Sequence, residues 1–521
     1  SRRARAAHGH RIETGNATPA LWPPLHRLWA DLVLAQANMP DTADEPALRA
    51  LILSLGKLTR NLAADVASNQ NRVFAVEPHI RNLVRVYTAW TRENDAASYT
   101  VTRMLTQALS NIVTGNNDLQ RKLWADYMAL PEEQSILIRL LASPDTQTVI
   151  SVLVLCINCI RGDAQRGLLL CTTTTGVRLC VSLLDTLEKY LDFPESDDEG
   201  KVFELGYAVM CALFEQGHFA ELFRRMSMED EAVAPPQMTL LKLLDSSLHA
   251  SDSRGRRSAE RRDLVVFLAS SLFFSLSGYA QHAIRQAISA LPAPAGNASP
   301  HEIEIHTEPH GAGGALDLQL PGVCAALVLL AQCLVTILLA EEDEQQHAGV
   351  ADAAGPAPRV TVTLKATVSE SRSSEGFVER LLETLRLLDV FLPRIQFGKA
   401  APAARDAGGG AGQGVGVGSA ARADATGFAY LKRDLVRLLG VLCHDSRGTQ
   451  DRVRLCQGIP VVLNLCVIDE RNPYLREHAL FALRNILHHN ADNQAVVDAI
   501  RPMGTWDEDG VLRDTPGAVR R

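Results

Sequence analysis

Several clusters in the sequence carry residue types that could do chemistry, and each lacks an atom its chemistry needs. His301-Glu302 with His306 resembles a zinc-binding helix motif, but the second His follows the first by five residues rather than four, so two imidazoles on a helix would diverge. His310 sits between Pro309 and Gly311, which points to a solvated loop. Cys156 and Cys159 have a C-x-x-C spacing inside the apolar run Leu155 to Ile160, with no second pair to complete a tetrahedral site, so core packing is expected. The glycines of 408–418 never fall into G-x-G-x-x-G register, and Gly398-Lys399 has no Gly five residues earlier and no Ser or Thr following. No catalytic, metal or cofactor site emerges, and the chain is not expected to be an enzyme.

Polar residues that repeat are more informative. Asn61 precedes Gln70 by nine positions, Asn111 precedes Gln120 by nine, and Asn485 precedes Gln494 by nine. A fourth copy keeps Gln450 but has Val441 where Asn is expected, and a fifth, Asn158 with Gln165, has a gap of seven. Around each lies a leucine-rich helix, a short polar break and a second helix, with the period of roughly forty residues of armadillo or HEAT units, which bury their apolar faces only by stacking. In the helix around Leu480, Leu483, Ile486 and Leu487, a 100° step per residue puts His478, Phe481 and Asn485 opposite that apolar stripe. Two readings of the Asn residues stand side by side. They form a ladder in a groove, where each amide holds the backbone of an extended peptide, or they brace the turns between helices. The aromatic partner of a peptide groove is absent at Lys57, Gln107 and Val154, which favours a surface specific to one protein.

These residues need a framework, and composition supplies it. The chain has 521 residues, 46% hydrophobic and 21% charged, enough apolar material for a large core, and its 5% aromatic content with abundant Ala, Leu and Val suits helix packing. A net charge of −8 argues against nucleic acid as a partner. Ten Cys, mostly in apolar runs, fit a reducing compartment. The start, with Arg2, Arg3 and Arg5, lacks an apolar segment behind it and reads as a truncated or processed end, not an export signal. Leu264 to Gly278 and Gly322 to Ala340 are uncharged, and the second is about as long as a membrane span. It carries Gln332 and Thr336, runs into Glu341 to Glu344 and has no basic flank, so a buried solenoid helix is expected in place of a span.

The expected fold is all-α, an armadillo/HEAT-like right-handed helical solenoid with disordered insertions. Residues 1–20 read as a disordered N-terminus and 21–291 as N-terminal armadillo-like repeats. Then come a linker at 292–321, a buried solenoid helix at 322–341, a linker at 342–376, a solenoid helix at 377–397 and a Gly/Ala-rich linker at 398–427. The array closes with 428–502 as a C-terminal domain and 503–521 as a flexible tail. Arg359 to Val368 alternates like a strand pair but carries little weight between loop-like stretches.

From Tyr430 to Val497 fixed elements follow in order: Lys432-Arg433-Asp434-Leu435, Gly440, Gln450-Asp451-Arg452-Val453, Gly458-Ile459-Pro460, Ile468-Asp469, Asn472-Pro473, Arg476-Glu477, Arg484-Asn485 and Asn493-Gln494. This stretch closely resembles the C-terminal domain of the ataxin-10 family, and the helical N-terminal half with a long insertion is similar to that family too. Gly458-Ile459-Pro460 should start one helix and Asn472-Pro473 the next, with Asn472 as N-cap. Arg476 and Glu477 either brace a turn or contact a partner. The resemblance implies a cytoplasmic, non-enzymatic armadillo scaffold that binds other proteins in cell division, cytokinesis and signalling. Family partners in animals include a glycosyltransferase and G-protein β subunits, and a homo-oligomer is compatible with the reading. The expectation is an adaptor whose protein-binding candidates are Asn61, Asn111, Asn158, His478, Phe481 and Asn485. Rival readings are an importin-like receptor carrying basic peptides on the Asn ladder, which requires acidic residues beside it, and an enzyme with a site in the unmatched middle.

Overall fold

A computed structural model of the chain describes residues 8–12, 15, 19–38, 45–92, 95–250, 258–289, 317–351, 364–369, 376–392, 394–396, 399–400, 428–500, 504–506 and 512–514. Among these the protein is all-helical apart from two short antiparallel strand pairs, β1 (Ile395–Gln396) with β2 (Lys399–Ala400) and β3 (Gly504–Trp506) with β4 (Leu512–Asp514). Two compact units emerge. One comprises Ser1–Glu229 with Ala234–Ser247, and the other Asp230–Val233 with Leu248–Arg521.

In the first unit the helices are α1 (Trp22–Asn38), α2 (Glu45–Ala63), α3 (Ala67–Val73), α4 (Glu77–Tyr87), α5 (Ala96–Val113), α6 (Asn117–Met128), α7 (Ile136–Leu141), α8 (Thr146–Ile160), α9 (Ala164–Thr172), α10 (Thr174–Tyr190), α11 (Asp198–Glu215), α12 (Phe219–Arg225) and most of α13 (Pro235–Ala250). The long helices pack in succession, α2 on α5, α5 on α8 and α8 on α11. The second unit holds α14 (Ser258–Val266), α15 (Phe273–Ser289), α16 (Leu320–Ala351), α17 (Leu364–Ser369), α18 (Phe377–Phe391), α19 (Leu431–Cys443), α20 (Arg447–Leu455), α21 (Gly458–Leu465), α22 (Leu475–Leu487) and α23 (Ala491–Asp498). There α16 packs on α19 and α19 on α22.

Each long helix of this kind ends on one backbone device. Four residues after Asn61, Asn111, Asn158, Leu213, Val441 and Asn485 stand Asp65, Gly115, Gly162, Gly217, Asp445 and His489, all with φ between 50° and 80°. Glycine takes this left-handed conformation without steric cost, and Asp and His are among the side chains that tolerate it, so the chain can reverse into the next short helix. The copy at Leu213 and Gly217 has no Asn and no Gln at the expected spacing, so side-chain pattern alone hides it. At Asn158 the residue nine places on is Gly167, and Gln165 is exposed, which corrects the seven-residue pairing. A Cβ on Gly167 would meet the Gln216 side chain, whose Nε2 donates to Ile160 O at 3.0 Å. The brace at that junction comes from the neighbouring helix.

The repeated Gln and Asn positions meet across neighbouring helices: Gln70 Nε2 donates to Asn111 O and Thr114 O at 3.0 and 2.8 Å, while Asn111 Nδ2 donates back to Arg60 O at 3.1 Å. Gln450 Nε2 donates to Asn485 O and His488 O at 2.9 and 3.4 Å, and Asn485 Nδ2 donates back to Gly440 O at 2.9 Å. Arg60 and Gly440 each stand one place before the repeat position, Thr114 and His488 three places after it. One reciprocal amide clamp, in the same register, therefore joins α2 to α5 and α19 to α22. It satisfies carbonyls at helix ends that have no intrahelical donor.

In the second unit the middle of the chain supplies the support for its C-terminal helices. Lys432 Nζ, on α19, donates to Asp389 Oδ1 at 3.1 Å and to Leu392 O at 2.8 Å at the end of α18. Arg452 forks onto Glu379 with Nε at 3.0 Å and Nη2 at 2.5 Å, and Gln332 Nε2 of α16 reaches Asp434 Oδ2 at 2.9 Å. Burial lowers the Lys432 pKa, and Asp389 opposes that shift. Because 428–502 shares this packing, it is not separated from the middle as the boundaries at 291 and 427 imply.

Other boundaries change as well. The helix expected at 322–341 extends over Leu320–Ala351, and Leu364–Ser369 is helical, so 342–376 is not all linker and 364–368 is no strand. Residues 8–12 are helical, with Arg11 Nη1 on Ala64 O at 2.9 Å, and β3–β4 falls in the expected tail. Most of 292–321 and 398–427, including His301, Glu302, His306 and His310, lies outside the described residues. Asn472 is not a helix N-cap: α22 begins after Tyr474 in a left-handed conformation (φ 65°), and Asn472 Nδ2 bonds Asp469 Oδ2 at 2.9 Å. By length and composition two helical stretches could cross a bilayer, Glu260–Ser289 and Leu320–Gln345, or three if the bent pair α9–α10 counts as one span. In the structure 56% and 61% of their apolar windows are buried within the protein.

Two outcomes follow for stability. A Cβ at Gly440 would lie 2.9 Å from Phe481 Cδ1 and 3.0 Å from Ala482 Cα, so Gly440→Val is expected to cost about 1–3 kcal/mol by overpacking; an unshifted urea midpoint would refute that close approach. Asn485→Ala strands the Gly440 carbonyl and is expected to lose about 1–3 kcal/mol, whereas Gln494→Ala, at an exposed amide, stays within about 0.5 kcal/mol. Equal urea midpoints for the two variants would show that the clamp does not hold the helices.

Candidate functional site

The six candidate residues fall into two groups, one in each unit, and the clamp divides them further. Asn485 is 5% exposed, with its amide on Gly440 O, so it belongs to the interior. Asn111 is half-buried and spent on Arg60 O. Asn158 Nδ2 donates to Ser110 Oγ at 3.1 Å and Thr114 Oγ1 at 2.9 Å. Asn61 is exposed and accepts from the Arg60 guanidinium at 3.3 and 3.4 Å. For Asn111, Asn158 and Asn485 the amide braces neighbouring helices, so these Asn side chains form no open ladder.

The apolar stripe of α22 also differs from the helical-wheel expectation. Leu475, Ala479, Ala482 and Ile486 are buried, whereas Leu480 is 47% exposed. The reason is the close approach of α19: Gly440 admits Ala482 and the edge of Phe481, so small residues face the neighbour and a leucine is left outside. Phe481 is 39% exposed and His478 is half-buried. These two are the C-terminal candidates that remain at the surface.

Beside them α19 contributes residues that the sequence reading passed over. Arg437 stands four places before Val441, as Phe481 stands four before Asn485, so the two occupy equivalent positions on packed helices. A basic residue at the position where an aromatic was sought is the signal that could have found it. Arg433 pairs with buried Asp434 at 2.8 and 2.9 Å and lies over the Tyr430 ring at 4.3 Å. Half-buried Arg437 has no hydrogen bond or ion pair among the described residues. Burial, then the positive charges of Arg437 and Arg433, holds His478 below the usual histidine range, so its imidazole is neutral near pH 7. Exposed Glu477 and Arg484 are also on α22.

Chemistry is not offered at the cysteine pair. Cys156 and Cys159 are both buried, and burial pushes Cys156 up to about 12 and Cys159 higher, so neither forms a thiolate at neutral pH. Among the described residues no group of three or more His, Cys, Asp or Glu could hold a metal ion.

Comparison with known proteins singles out the same C-terminal helices. The family described as Spinocerebellar ataxia type 10 protein domain matches residues 431–518. The chain is 38% identical over 78 residues to an ataxin-10 homolog of Dictyostelium discoideum, covering 15% of this chain and 13% of that protein. It is 30% identical over 138 residues to ataxin-10 of Bos taurus, 25% of each chain, and 36% identical over 83 residues to ataxin-10 of Homo sapiens, 16% of this chain and 17% of that one. These matches span between 13% and 25% of the relatives' own length. Residues 431–518 thus carry the C-terminal domain of the ataxin-10 family.

Proposed function

We propose that this protein is a non-enzymatic adaptor that binds other proteins, with each unit built as a right-handed armadillo-type stack and the C-terminal helices as the docking piece. The observation that carries the reading is the reciprocal Asn/Gln clamp, found in one register at α2–α5 and at α19–α22. A clamp repeated between equivalent helices supports a stack of like units, the architecture whose use is an extended binding surface. Family membership supports the same role, and with it a place in the cytoplasm, in cell division and cytokinesis and in signalling. The apolar helix Leu320–Ala351 is read as a packed member of its unit, in keeping with the side chains it buries against its neighbours.

An importin-like receptor for basic peptides is less well supported. It needs open Asn amides and nearby carboxylates, whereas three of the four ladder Asn side chains brace helices and the positions beside them hold Lys57, Arg60 and Arg437.

The test separates surface from scaffold. In the full chain Leu480→Ala with Phe481→Ala removes half-exposed apolar area, so a cooperative urea transition should persist with a loss of about 1 kcal/mol for each substitution, while recovery of bound proteins from native cells should fall severalfold. Recovery equal to that of the unaltered chain would overturn the assignment of this face.

A further inference from the structure

We propose that the face shared by α19 and α22, with Arg437 at its centre and Phe481 beside it, docks an extended acidic segment of a partner protein. This rests on the adaptor reading and adds the partner's chemistry to it.

The argument begins with an unmet charge. Arg433 is cancelled by Asp434, whose second partner is Gln332, so that pair offers little outward field. Arg437 is half-buried, and no carboxylate among the described residues pairs with it. Removing a guanidinium partly from water without a counterion costs free energy, and an arriving carboxylate that forms charge-assisted hydrogen bonds recovers it. On α22 Arg476 and Arg484 are exposed and without a hydrogen-bond or ion-pair partner among the described residues, and the carboxylate of that helix, Glu477, is exposed too. Once the Arg433–Asp434 and Lys432–Asp389 pairs cancel, α19 and α22 together hold three guanidinium groups, Arg437, Arg476 and Arg484, against the one carboxylate of Glu477, on a chain whose overall charge is −8. A locally positive patch on a negative chain selects an acidic partner.

Geometry supplies the second half. Phe481 lies against Gly440, one turn along α19 from Arg437, and His478 lies within the electrostatic field of Arg437 and Arg433. An exposed aromatic edge next to an Arg fork is the pairing that interface hot spots favour, the ring supplying desolvated area and the fork a bidentate carboxylate contact. Tyr430, 42% exposed under Arg433, extends the aromatic surface beyond that pair. An extended segment suits this face because packed helices are about 8–10 Å apart and side chains on one side of a strand recur at roughly 6–7 Å, so alternate residues can reach successive helices.

The experiment uses the full chain and three fluorescein-labelled peptides of about twelve residues, enough to cross several helices at about 3.3 Å per residue. One is Glu-rich with a central Leu, one has Lys in place of Glu, and one has Gln. Fluorescence anisotropy should show the Glu peptide binding at least tenfold tighter than the other two, with affinity falling as salt rises. Arg437→Glu should weaken the Glu peptide at least tenfold and strengthen the Lys peptide, with the circular dichroism spectrum and urea midpoint unchanged. Should Arg437→Glu prove unfolded, Arg437→Gln replaces it and should lose the Glu preference. Equal binding of Glu and Lys peptides, or a Glu-peptide affinity within twofold in Arg437→Glu, would overturn the proposal. If those results come while the Leu480/Phe481 substitutions still abolish protein recovery, the acidic partner falls and the adaptor reading stands. If the Leu480/Phe481 substitutions leave recovery unchanged while the Glu preference is intact, the adaptor assignment of this face falls and the proposed partner falls with it.

Discussion

A side-chain amide has both a donor and an acceptor, and this protein spends that capacity on the least satisfied groups of a helix, its last carbonyls. Gln70 and Gln450 reach forward to the C-terminal carbonyls of the next long helix, and Asn111 and Asn485 reach back to the helix before. The exchange fixes both the distance and the rotational register of neighbouring helices, because an amide misplaced by one helical turn would meet no free carbonyl. Apolar burial supplies most of the packing free energy, but it is non-directional. At α2–α5 and α19–α22 the clamp adds direction to that packing.

That constraint explains why the face of α22 looks as it does. With Asn485 bound to Gly440 O, rotation of the helix to bury Leu480 would break that bond, and the contact at Gly440 falls to Ala482 and the edge of Phe481. Small residues at a close crossing leave the larger ones, Leu480 and Phe481, at the rim. Exposed apolar area here is thus a consequence of register, and it is available for binding without loss from the core.

The all-helical class and the C-terminal family domain were legible in sequence, because leucine spacing and the ordered C-terminal motifs are local. Less of the site was. The helical wheel placed Asn485 opposite the core because Leu480 and Leu483 are more apolar than Ala479 and Ala482, yet proximity to α19 favours the smaller side chains. The copy at Leu213 escaped because its defining feature is a backbone conformation at Gly217, which Gln216 accompanies from a different position. Asn472 looked like an N-cap before Pro473, but Tyr474 in a left-handed conformation delays the helix start and Asp469 takes the amide.

The middle of the chain showed the widest gap between pattern and packing. Its apolar helices carry no repeat signature, so they read as an isolated helix between linkers, yet α16 and α18 provide Gln332, Glu379 and Asp389 as partners for Asp434, Arg452 and Lys432. A lysine as deeply buried as Lys432 is tolerable only with such a carboxylate and carbonyl in place, since an uncompensated buried ammonium would be strongly destabilising. The matched domain of 431–518 therefore depends on residues some forty to a hundred positions upstream for its charge balance. Cutting the chain just before Leu431 would expose the face of α19 that α16 and α18 cover, and would leave Lys432 without its counterion. The family domain and the middle of the chain are one physical object, and the face of α19 and α22 is held in place by helices whose sequence gives no sign of that role.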